Sequence, residues 1–187
     1  MDPVMSTFLI FLLMGATVLV FRGIVRRPAS ASQVDAPGLR TMVAFSAGAS
    51  EFLEDDRPDE PYVGIRLFDM ICHGLAAEGV AIDHRGVIQN AQRAECVLGH
   101  ERFAMVLEAV EDWVISIEWV PESAAEKRHV ALTQQVFAPR DSASLRRLLA
   151  TLDRWLKADA RFSRVRWYRK ECWIAEDLSD PQDGPID

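Results

Sequence analysis

Apolar positions along this chain change their period several times, and each change marks an element. From Pro3 to Phe21 no side chain is charged, and the run then turns basic at Arg22, Arg26 and Arg27. As a helix that stretch extends roughly 28 Å at about 1.5 Å per residue, close to the thickness of a bilayer's hydrocarbon core. With no polar face to offer water, it predicts a single transmembrane helix with a basic flank over 3–27 rather than a core helix. A cleaved signal peptide is the rival, because "ASA" at Ala29–Ala31 supplies small residues. The flanks oppose it: "MDPVMST" carries no Lys or Arg ahead of the apolar core, and the positive cluster follows. Lys- and Arg-rich flanks stay cytoplasmic, so the expected location is a cell inner membrane or plasma membrane, N-terminus outside and the remaining chain cytoplasmic.

Small and polar residues follow in "PASASQVDAPG", and carboxylates crowd "EFLEDDRPDEP". Together they predict a flexible linker with an acidic loop over 28–60. Between them "LRTMVAFSA" fits either a first strand or a loosely docked segment. Periodicity becomes helical in "YVGIRLFDMICHGLAAEG", where Ile65, Phe68, Ile71, Cys72 and Leu75 recur at three and four, and Gly79 offers a stop.

From Ala94 to Val120 the period falls to two. Phe103, Met105 and Leu107 share one face, as do Trp113, Ile115, Ile117 and Trp119, with turn residues at Gly99-His100 and Glu111-Asp112. Three antiparallel strands are expected there, with a short one before them at Val80–Asp83. "HVALTQQVFAP" satisfies both alternation and a helical stripe, and the pattern leaves it open. A second amphipathic helix is marked by Leu145, Leu148, Leu149, Leu152, Trp155 and Leu156 behind a cap at Asp141 or Ser142. "RFSRVRWYRKECWI" reads as a last strand and 175–187 as a disordered acidic tail. The expected fold is therefore an α+β domain over 61–174, a mostly antiparallel sheet of four to five strands with two helices on one face and the other face open.

Charge narrows the functions. A net charge of -7 and a pI near 5.1 argue against generic nucleic-acid binding, which draws on neutralised phosphates. The three cysteines, Cys72, Cys96 and Cys172, are too far apart for a disulfide framework or a metal knuckle and fit a reducing compartment. The motifs GxxxxGK[ST], GxGxxG and GxSxG are all missing, so no cofactor, metal or catalytic residue is predicted. None of the four histidines, His73, His84, His100 and His129, sits in a motif; Asp83-His84 is a poor catalytic pair because neighbours on a strand point to opposite faces.

One local asymmetry has functional colour. Between Arg140 and Lys170 basic residues far outnumber acidic ones, and on an extended strand Arg164, Arg166, Tyr168 and Lys170 share a face while Val165 and Trp167 turn to the core. These four are the candidate binding residues, for an acidic protein partner, anionic lipid headgroups, or the chain's own acidic segments. The plainer reading is an exposed strand whose charges deter edge pairing.

The span from Leu67 to Tyr168, with "LAAEG", "FAMVLEAVEDWVISIEW" and "LRRLLATLDRWLKADARFSRVRWY", resembles small bacterial α+β domains of uncharacterised function. In layout these are similar to immunity-type and secretion-chaperone-like binding domains, and the resemblance implies binding without catalytic residues. The expected function is a membrane-anchored, non-catalytic protein-binding domain. Alternatives are a membrane-tethered hydrolase or transferase using His73 or His84, and a peripheral sensor of anionic lipid.

Overall fold

The computed structural model describes residues 34–47, 52, 64–88, 91–109, 112–133, 137–175 and 181–187. The expected membrane helix at 3–27 and most of the acidic loop lie outside them. Among the described residues no helix is long and apolar enough to cross a membrane. The described residues divide into two units, one within 31–120 and 136–187, the other within 121–135.

The larger unit is α+β, built on a six-stranded antiparallel sheet. Its elements are β1 (Met42–Ala47), α1 (Ile65–Ala77), β2 (Ala81–Ile88), β3 (Ala91–Leu98), β4 (Glu101–Ala109), β5 (Trp113–Trp119), then α3 (Ala143–Ala158), β6 (Phe162–Tyr168) and α4 (Lys170–Ile174). The sheet order is β2-β3-β4-β5-β1-β6. The described part of the smaller unit contains α2 (Ala124–Thr133). A reciprocal capping box starts α2: Ser123 Oγ accepts the Glu126 N–H at 3.2 Å, and Glu126 Oε2 accepts the Ser123 N–H at 2.9 Å.

One core joins the sheet's inner face to α1 and α3. Val43, Phe45, Cys96, Met105, Leu107, Ile115, Ile117 and Trp167 from the strands meet Phe68, Ile71 and Leu75 of α1 and Leu145, Leu148, Leu149, Leu152 and Leu156 of α3. Each of the α3 leucines is fully buried, a burial worth roughly 2 kcal/mol apiece. Ser142 caps that helix by accepting the Leu145 N–H at 3.1 Å. Helix α1 starts at Gly64, whose φ of 85° is left-handed and where a Cβ would stand 2.6 Å from the Trp113 ring, so only glycine fits.

Five expectations are corrected. The sheet has six strands rather than four or five, because β1 is inserted between β5 and β6, and β2 runs to Ile88 instead of stopping at Asp83. A bulge at His84 and Arg85 shifts the β2 register between Asp83 and Gly86, putting Ile82 and Val87 on the same side at an odd spacing that alternation misses. The last strand ends at Tyr168, since the Asp35 carboxylate accepts the Lys170 N–H at 3.0 Å and the chain turns into α4.

The linker expected over 28–60 is ordered across 34–47, where Asp35, Leu39, Arg40 and Thr41 are all buried. The tail expected to be disordered is docked over 181–187: Ile186 bridges to Leu39 and Gln182 to Trp167, and Pro185 is buried. Finally, the sheet's outer face is closed at its centre, with Met42, Ala104, Val106, Val114 and Ser116 all buried.

Candidate functional site

The basic row predicted on the last strand is divided by the fold. Antiparallel pairing sets Arg166 opposite Ala44 and Tyr168 opposite Met42, so these two share the outer face, while Val165 and Trp167 point into the core as alternation requires. Arg164 is the extra residue of a bulge, at φ 54°, because β1 advances from Ser46 to Ala44 while β6 advances from Ser163 to Arg166. Lys170 leaves the row altogether and is only 1% exposed.

Each of these cations meets a carboxylate from a distant part of the chain. Arg164 lies 3.7 Å from Asp112, Arg166 lies 2.5 Å from Asp183, and Lys170 Nζ lies 3.9 Å from Glu118. Neighbouring cations are paired as well: Arg154 with the distant Glu78, and, close along the chain, Arg146 with Asp141, Lys157 with Asp153 and Arg161 with Asp159. Most cations of the locally basic stretch are thus paired with carboxylates of the chain itself.

Lys170 sits in a buried polar knot that sequence pattern did not reveal. Asp35 accepts the Thr41 N–H at 2.9 Å, the Thr41 hydroxyl at 2.8 Å and the Lys170 N–H, while its own N–H donates to Glu171. Burial raises the Asp35 pKa above the ordinary carboxylate value despite those hydrogen bonds. Burial also lowers the Lys170 pKa, against the opposing pull of Glu118, Asp35 and Glu108. On the same face Ser116 Oγ donates to Glu118 at 2.7 Å. The knot ties the chain before β1 to the chain after β6, and its contacts are accounted for by structure.

The histidines do not converge. His73 is exposed on α1 with Nδ1 2.7 Å from the Asp69 carbonyl, His100 occupies an exposed turn, and His84 occupies the exposed β2 bulge 3.4 Å from Asp83. Among the described residues no group of three or more His, Cys, Asp or Glu is placed to hold a metal ion.

What the fold leaves available is a strand edge. β2 ends the sheet, and among the described residues no strand pairs along its outer side. Seven of its eight positions are exposed, including Val87 at 39% and Ile88 at 49%. Its inner neighbours fix its other side: Asp83 and Glu95 share Arg102, at 3.4 and 3.1 Å, and Arg85 pairs with Asp69 and lies over the Phe68 ring. The signal available in sequence was the apolar pair "VI" after a glycine, which alternation alone did not single out. Comparison with protein-family models, with curated proteins and with solved structures finds no match to this chain.

Proposed function

We propose that this chain is a membrane-anchored, non-catalytic protein-binding domain that takes an extended segment of a partner protein along β2. The observation that carries the reading is the eight-residue edge strand whose outer hydrogen-bonding side is unoccupied among the described residues, with Val87 and Ile88 exposed upon it. An added strand gains main-chain hydrogen bonds along such an edge, and side chains of alternate residues supply selectivity. The bulge at His84 and Arg85 interrupts the ladder, so the regular end at Gly86–Ile88 is where pairing starts. Anchoring rests on the uncharged run Pro3–Phe21 with its following arginines, which supports a cytoplasmic domain held beside the membrane.

The test is a photo-cross-linking residue placed at Val87 of the full chain in its own membrane, with exposed Ala150 of α3 as the control position. An adduct to a second polypeptide from Val87 alone is expected, and Val87→Lys with Ile88→Lys should abolish capture of that polypeptide without unfolding the chain. Equal labelling from both positions, or capture unaffected by the lysines, would overturn the assignment.

A further inference from the structure

The opposite end of the sheet offers a different surface. β6 is the other end strand, and among the described residues its outer edge makes one backbone pairing, to Gln182 of the C-terminal segment. The Trp167 N–H donates to the Gln182 carbonyl at 2.8 Å, and the Gln182 N–H returns to the Trp167 carbonyl at 3.0 Å. One residue on, the Asp183 carboxylate takes Arg166 and its backbone carbonyl takes Lys157. The segment therefore sits as a minimal antiparallel strand that presents an acidic side chain to a cationic edge.

Its two halves are held differently. Pro185 is buried, Ile186 packs against the core, the Arg40 N–H donates to the Pro185 carbonyl at 2.8 Å, and the Asp187 N–H donates to the Gly38 carbonyl at 3.1 Å. Pro181 and Asp183 are exposed, with the Asp183 side chain at 87%. Exposed ion pairs of this kind contribute little, so the stretch before Gly184 opens far more readily than the Pro185–Ile186 anchor.

We propose that the outer edge of β6 recognises an acidic extended segment of a partner protein, and that residues 181–183 are the intramolecular competitor occupying it. Gln182 and Asp183 supply the template: two main-chain hydrogen bonds to Trp167, a carboxylate on Arg166 and a carbonyl on Lys157. A partner segment with a carboxylate following the paired residue reproduces all of these contacts. Strand addition with charge matching is a known way for an edge to combine affinity with selectivity. The surface is independent of β2, so either assignment can fail without the other.

The experiment uses the isotope-labelled full chain and an unlabelled peptide, Pro-Gln-Asp-Gly-Pro-Ile-Asp, matching 181–187. With the peptide in large excess, amide exchange at the chain's own Gln182 should accelerate about fivefold or more, while Trp167 stays protected by the incoming strand. The Asp183→Lys version of the peptide should have no such effect, and an Arg166→Glu chain should not respond to the original. The wild-type chain is the principal reporter, so the result does not depend on a variant folding. Unchanged exchange at Gln182, or equal action by the Lys peptide, would overturn the proposal. Vesicles containing phosphatidylglycerol that accelerate Gln182 exchange where the peptide does not would overturn it in favour of lipid headgroups.

Discussion

Lys170 shows how far one residue's setting can depart from its local sequence. Surrounded by "WYRKECW", it reads as one more surface cation, yet it is buried at the start of α4 with Glu118 3.9 Å away. Burial holds its folded pKa below 10.5, so the unfolded chain keeps this proton to higher pH. Stability therefore rises as pH climbs from the folded value toward 10.5, because the unfolded state binds more protons in that window. The stability of wild type relative to Lys170→Met should rise with pH over that range, measured by urea unfolding; a difference independent of pH would show that the charge is not carried as described. Asp35→Ala tests the other half of the knot. It strands the Thr41 hydroxyl and the N–H groups of Thr41 and Lys170, at a cost of about 2 kcal/mol or more. An unchanged urea midpoint would mean these donors find other acceptors.

At the scale of elements, α1 and α3 meet where Gly74 faces Trp155, and a Cβ on Gly74 would fall inside the indole. Alanine gains about 1 kcal/mol of helix propensity over glycine, whereas overpacking costs about 1–3 kcal/mol. Trp155 has little room to retreat, since its ring packs 5.4 Å from Phe162, so the steric cost wins. Gly74→Ala should destabilise the chain, and Trp155→Phe should recover part of the loss in a double-mutant cycle; additive effects would disprove the contact. The helices α1 and α3 and the strands β3, β4 and β5 were legible in sequence because their apolar stripes hold one period over a whole element. β2 was half legible: its exposure removes the apolar face, and its bulge breaks the phase at His84. β1 was left open because a six-residue strand offers only two large side chains, Val43 and Phe45, to the core. The end of β6 and the docking of 181–187 depend on Asp35, Arg40 and Arg166 meeting partners far along the chain, and no local period encodes such pairings.

Across the whole molecule the thiols report both packing and placement. Cys72 and Cys96 are buried in the core and burial pushes each thiol up to about 12, whereas Cys172 on α4 is partly exposed. Only thiolate alkylates readily, so iodoacetamide should modify Cys172 in the folded chain and reach the other two only on global opening, as read by mass spectrometry. The same difference turns Cys172 into a native topology probe. If the arginines after Phe21 hold the domain on the cytoplasmic side, a membrane-impermeant maleimide should leave Cys172 unmodified in intact cells and label it after permeabilisation. Labelling in intact cells would place the domain outside and redirect the search for the β2 partner to the envelope.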